Sequence, residues 1–194
     1  SSRRLWIVLP LAGLLLLALA TGGYLWLSKP RGMPFVVSYE PGRLISGGYS
    51  GWVGMEFTVG ATPVTVTDLG RLVLAGNGRN HTLQLLQAST SQQIPGASVE
   101  ISMKGRNAGE FAFSPLPKPV HLRAGETYLL VSSESVSNNV GDYFYDESSR
   151  VDTTAGLHVL HAVYLDGKTW RRLGRDNESF GPVNLKYFAQ PQVK

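Results

Sequence analysis

The sequence predicts an all-β fold, an antiparallel β-sandwich of immunoglobulin-like or jelly-roll type, preceded by one transmembrane α-helix. Three observations predict it. Leu5 to Leu27 is a run of 23 residues without a charged side chain. From Phe35 onward, short β-branched and aromatic runs alternate with Gly, Pro and Asn turn signals at spacings of about 8–12 residues. No stretch of that second region sustains the 3.6-residue apolar period of a packed helix.

The apolar run sets the domain organisation. At about 1.5 Å per residue, a helix of this length spans roughly 35 Å, against a hydrocarbon core of about 30 Å. Lipid offers the backbone no hydrogen-bond partners, so a spanning segment of this kind is helical. Trp6 lies near one end, and Tyr24 and Trp26 near the other, where amphipathic rings favour the headgroup level. Pro10 falls in the second turn, where a missing backbone bond is tolerated. Gly13 and the Gly22-Gly23 pair allow another helix to approach closely.

A cleaved signal peptide is the competing reading. Arg3 and Arg4 would be its basic region and Ala18-Leu19-Ala20 its cleavage site. Ser2-Arg3-Arg4-Leu5 is also a short match to a twin-arginine signal. The apolar run continues through Leu27, beyond the about 7–15 residues of a signal core, and this favours an uncleaved anchor. Arg3, Arg4 and the terminal amine before the run slightly outweigh Lys29 and Arg31 after it. The bias places residues 1–4 in the cytoplasm and the C-terminal domain on the periplasmic side of a bacterial inner membrane. Residues 28–34 form a short linker stiffened by Pro30 and Pro34, and residues 35–194 form the domain.

Charge and composition exclude several classes. Of the 18 basic and 14 acidic side chains, Arg3, Arg4, Lys29 and Arg31 precede residue 32 and no acid does, which leaves 14 of each sign in the rest of the chain. The domain is thus neutral, which argues against a nucleic-acid partner. Without cysteine there is no disulfide framework, thiol chemistry or Cys-ligated metal. Asn80-His81-Thr82 and Asn177-Glu178-Ser179 match the glycosylation sequon, a pattern frequent by chance.

Along the domain, Phe35 to Tyr39 is the first predicted strand. Val53, Met55, Phe57 and Val59 share one face of the next. Val64–Thr67, Leu69–Leu74, Thr82–Leu86, Val99–Met103, Phe111–Phe113, Val120–Leu122, Thr127–Ser132 and Tyr143–Tyr145 follow. His158–Leu165 and Thr169–Leu173, joined through Asp166-Gly167, make a hairpin with a two-residue primed turn. Val183–Phe188 closes the domain, the last of thirteen short runs that make roughly ten or eleven strands.

Three segments, GMEFTVG, VTVTDLGRLVLAGNGRNHTLQLL and FAFSPLPKPVHLRAGETYLLVSSE, resemble a β-sandwich module of uncharacterised function appended to large secreted bacterial glycosidases and surface proteins. The resemblance runs from Gly54 to Asp146. It implies an extracytoplasmic, jelly-roll or immunoglobulin-like domain and brings no catalytic motif.

The residues themselves assign no catalytic, cofactor or metal role. There is no GxSxG elbow, phosphate loop or GxGxxG. His158 and His161, three apart on a strand, are expected on opposite faces, and His81 and His121 read as hydrogen-bonded or surface side chains. Asp142, Asp146, Glu147 and Asp152 offer hard oxygen ligands but match no EF-hand spacing. Two surfaces stand out as partner-binding candidates. One is Lys168 to Arg175, the domain's one basic run, with Trp170, Arg171 and Arg172. The other is the aromatic–acidic stretch with Asp142, Tyr143 and Tyr145. Together these features predict a non-enzymatic accessory subunit of a larger bacterial membrane complex, of respiratory or photosynthetic type, whose partners are other membrane subunits and the bilayer. The second reading is a tethered carbohydrate or cell-wall binding module that stacks sugars on Trp52, Tyr143, Tyr145 or Trp170.

Overall fold

The computed structural model describes residues 32–42, 49–135, 149–181 and 183–190, and the backbone of 44–46 and 144–146. By its contacts the chain divides between Arg31 and Gly32, and only the second unit is described. The predicted span Leu5–Leu27, with Arg3, Arg4, Trp6, Gly13, Gly22, Gly23, Tyr24 and Trp26, lies outside the described residues. So do Asp142, Tyr143, Glu147 and the side chain of Tyr145. Among the described residues no helix is long and apolar enough to cross a membrane.

The described residues form fifteen strands, all antiparallel, and no helix. Met33–Pro34, Leu44–Ser46 and Glu178–Ser179 are too short to carry an alternation, and the sequence reading also lacks the five-residue strand Ser149–Thr153. Six strands make the largest sheet: β4 (Gly51–Val59), β6 (Asn80–Gln87), β7 (Gln92–Ser102), β9 (Thr127–Glu134), β12 (Leu157–Asp166) and β13 (Thr169–Leu173), in the order β13-β12-β4-β9-β6-β7. A second sheet joins β1 (Met33–Pro34), β15 (Val183–Ala189), β5 (Val64–Leu72) and β8 (Phe111–Leu122), in that order. β2 (Val36–Glu40), β11 (Ser149–Thr153) and β14 (Glu178–Ser179) form a three-stranded sheet, and β3 (Leu44–Ser46) pairs with β10 (Phe144–Asp146).

The core lies between the two principal sheets. Met55, Phe57, Tyr128, Leu130, Leu83 and Leu85 come from the first, and Val64, Val66, Leu69, Leu122, Leu185 and Tyr187 from the second. Strand alternation brings them to one side, with one step of three residues from Val66 to Leu69 where the β5 ladder shifts between Val66 and Asp68. An aromatic chain crosses the core: Tyr187 meets Phe35 at 6.5 Å, Phe35 meets Phe57 at 5.4 Å, and Phe57 meets Tyr128 at 5.9 Å between ring centroids.

The chain changes sheets between Phe35 and Val36. Phe35 donates its N–H to the Leu185 carbonyl, whereas Val36 already pairs with Thr153. The buried Asn184 side chain spans the break. Its Oδ1 accepts from Val36 N–H at 2.9 Å and its Nδ2 donates to the Val36 carbonyl at 2.8 Å, as a ladder neighbour would.

The two ends of the sandwich differ. At one end the turns after β4, β8 and β11 meet: Gly125 N–H bonds Gly60, Gly60 N–H bonds Gly156, and Tyr187 donates to the Ala155 carbonyl. The chain arrives on this side, with Met33 opposite Tyr187 and Gly32 flat against the backbone of Lys186 and Tyr187. We call this the near end. At the far end, Gly51 faces Glu134, and Val53 faces Tyr164 just before the β12–β13 turn.

Candidate functional site

Two polar constellations lie at the far end among the described residues. The first is buried between the sheets. On β5 and the residue that follows it, alternation turns Leu69, Arg71 and Val73 inward; on β9 it turns Tyr128, Leu130, Ser132 and Glu134 inward. Arg71 and Glu134 meet across the gap as a fork. Nε donates to Oε1 at 3.0 Å and Nη2 to Oε2 at 3.1 Å, and the two side chains are 1% and 0% exposed. Arg71 Nη1 donates to the Leu72 carbonyl, and Ser132 Oγ donates to Glu134 Oε1.

His81 completes the cluster. Its Nδ1 faces two acceptors, the Ser133 carbonyl at 2.9 Å and Glu134 Oε2 at 3.2 Å, so that nitrogen bears the proton. Its Nε2 lies 2.9 Å from Nδ2 of Asn77, whose Oδ1 accepts from the Arg79 N–H. The β5–β6 turn is thereby tied through Asn77 and His81 to the end of β9. Arg71, Asn77, His81, Ser132 and Glu134 are all buried, and Ser132 points its hydrogen at a carboxylate. The cluster therefore clamps the two sheets; it presents no nucleophile to a substrate.

The second constellation is the β12–β13 hairpin, closed by Gly167 at φ 59° and Lys168. A positive φ at the first turn residue alone is the type II′ form, which favours glycine there. Trp170 is half-buried. With Trp52 and Ala88 it packs on Leu86, Leu129, Val131 and Val163, a cluster on the face of the six-stranded sheet turned away from the main core. Arg172 reaches over β12 to Glu56 on β4, with Nε to Oε2 at 2.8 Å and Nη2 to Oε1 at 2.7 Å. The hydrogen bonds to Glu56 raise the Arg172 pKa further, against a smaller opposing effect of burial. Arg171 pairs with Asp166 at 3.1 Å, and both are about half exposed.

The basic run is therefore uneven in its chemistry. Removing Arg172 strands a carboxylate that is 6% exposed, whereas removing Arg171 strands one already in water. We expect Arg172→Ala to cost about 1–3 kcal/mol of stability and Arg171→Ala about 0.5 kcal/mol or less, read by urea denaturation of the two variants.

The other sequence candidates are placed as follows. A bulge at Leu160 shifts the β12 register, so that His158 faces Thr58 and His161 faces Glu56. Thr58 and Glu56 share one face of β4, so the two histidines lie on the same face. The expectation of opposite faces failed because it assumed an unbroken period of two. His158 lies 3.7 Å from Asp176, both exposed. His121 Nδ1 bonds Thr65 Oγ1 at 2.9 Å. Of the four acids weighed as calcium ligands, Asp152 alone has a described side chain; it accepts from Ser38 Oγ. Among the described residues no group of three His, Asp or Glu side chains gathers as a metal site.

The sequence reading missed Arg71 and Glu134. The signal was present as a charged residue at an inward position of an apolar alternation, once in Leu69–Arg71–Val73 and once in Leu130–Ser132–Glu134. Their meeting depends on which strands face each other, and spacing along one chain does not encode that.

No protein-family model matches the chain, and no curated protein matches it.

Proposed function

We propose that the chain is a non-enzymatic accessory subunit of a bacterial membrane complex, with Leu5–Leu27 as its anchor and the far end of the β-sandwich as its extracytoplasmic docking surface. The observation that supports this most is the six-stranded sheet's second apolar cluster. A solvated sheet face alternates to polar residues, yet here Leu129, Val131 and Val163 are buried beneath Trp52 and Trp170. Half-buried tryptophan with arginine beside it is the composition of interface anchors.

The tether agrees with this reading. Five peptide steps separate Leu27 from Gly32, a reach of at most about 17 Å. Gly32 admits no side chain, since a Cβ there would meet the Tyr187 nitrogen at 2.7 Å. A tether this short limits how far the domain can search from its own anchor. A bound sugar would need an open aromatic platform; Trp52 and Trp170 instead pack on the apolar cluster. That favours a protein partner over the carbohydrate reading.

The anchor is tested by alkaline carbonate extraction of membranes. The full chain is expected in the pellet, and a chain lacking residues 1–27 in the supernatant. Full release of the intact chain would refute the anchor.

A further inference from the structure

We infer that β13 is an acceptor edge, to which an extended acidic segment of a partner subunit adds as a seventh strand of the large sheet. The inference rests on the function proposed above and names how the partner is held.

Among the described residues, the outer edges of the two principal sheets are β13, β7, β8 and β1. Three of them are interrupted or short. β7 pairs with β6 at Gln92–Gln93 and again at Ser98–Ser102, and between these it carries Pro95 and Gly96, the latter at φ 77°. β8 leaves the β5 ladder between Pro115 and Val120, and Pro115, Pro117 and Pro119 have no N–H to offer. β1 is two residues long and ends in Pro34. β13 has neither proline nor bulge, and its five residues stay in register with β12 throughout.

The hairpin's geometry says which groups remain open. Asp166 and Thr169 flank the two-residue turn and form the closing hydrogen-bonded pair, so Tyr164–Arg171 and Ala162–Leu173 are bonded pairs as well. Trp170 and Arg172 fall between them. Their N–H and C=O groups turn to the outer edge, and no backbone bond among the described residues takes them. The same alternation leaves the Leu165 carbonyl turned to β4, where the Tyr49 hydroxyl donates to it at 2.7 Å.

Charge selects the occupant. Lys168, Arg171, Arg172 and Arg175 line or flank the edge, and of these only Arg171 and Arg172 have an acidic partner among the described residues. Two copies of β13 side by side would oppose like charges, which is destabilising, whereas an acidic strand would offset them. The incoming strand would also extend the sheet beside Trp170.

The test uses the full chain, once in its complex extracted by mild detergent and once purified alone. Amide hydrogen exchange is read at Trp170 and Arg172, with Arg171 and Leu173 as internally bonded controls. Exchange at Trp170 and Arg172 is expected to be at least tenfold slower in the complex, with the controls unchanged. Arg172→Pro removes an outward N–H without breaking a β12–β13 bond, and Arg172→Ala accounts for the lost Glu56 pair. Partner retention is expected to fall at least tenfold for Arg172→Pro relative to Arg172→Ala. Co-purifying partners with unprotected Trp170 and Arg172 amides would overturn the edge inference and leave the proposed function standing. Protection in a particle holding only two copies of this chain would overturn the acidic partner in favour of self-pairing. A chain with no partner at all would remove the proposed function itself.

Discussion

Replacing Glu134 by Ala is expected to destabilise the domain by about 3–5 kcal/mol, because it leaves the Arg71 guanidinium buried without its counter-charge. Arg71→Ala should cost a similar amount for the mirror reason. The pair Arg71→Met with Glu134→Leu, which removes both charges, is expected near neutral, since burying two ions is itself costly. Chemical denaturation of the three variants would show this non-additivity; equal and additive losses would mean that the fork is not a coupled unit.

The same bridge sets an acid limit. Burial pushes the Glu134 carboxyl upward, but the Arg71 charge and the hydrogen bond and charge of His81 together hold it below its ordinary value of 4.5. A group depressed in the folded state stabilises above its unfolded value, and the stabilisation is lost as pH falls through the folded value. Native stability should therefore decline as pH drops below about 4.5. The Met/Leu variant should lose less of its stability over that range.

Gly54→Ala is the second large effect, at about 3 kcal/mol. Gly54 sits in the middle of β4 with β9 and β12 on either side. A Cβ there would run into the Leu130 carbonyl oxygen and the Val131 Cα, which are backbone atoms held by the ladder. Neither can yield as a flexible side chain would. Gly78→Ala, with nothing within 4 Å, is the matched control and should change little. A midpoint for Gly54→Ala equal to that of the control would show that the strands can separate at no cost.

Much of the fold was legible because strand alternation is local. Val53, Met55, Phe57 and Val59 were assigned to one face from spacing alone, and all four are buried. A two-residue primed turn was legible because such a loop restricts φ in a way that glycine permits, but the loop is Gly167-Lys168 rather than Asp166-Gly167, since Asp166 still pairs with Thr169. What escaped was non-local. The bulge at Leu160 carries no local signature, and it moved His161 onto the face of His158. Asn184 reads as an ordinary polar residue near a strand start, and its role as a stand-in ladder rung appears only when Val36, distant in sequence, lies beside it. The hairpin was legible as a basic run with a tryptophan. Its division into a held Arg172 and an exposed Arg171 was not, because Glu56 lies two strands away.

The proposed membership of a membrane complex is decided by the mass of the native particle. The full chain is to be extracted from its own membranes in mild detergent and weighed by native mass spectrometry. The expected particle is several times heavier than the 21.1 kDa chain and holds other membrane subunits in fixed ratio. A particle of the chain's own mass, with no stoichiometric partner, would contradict it.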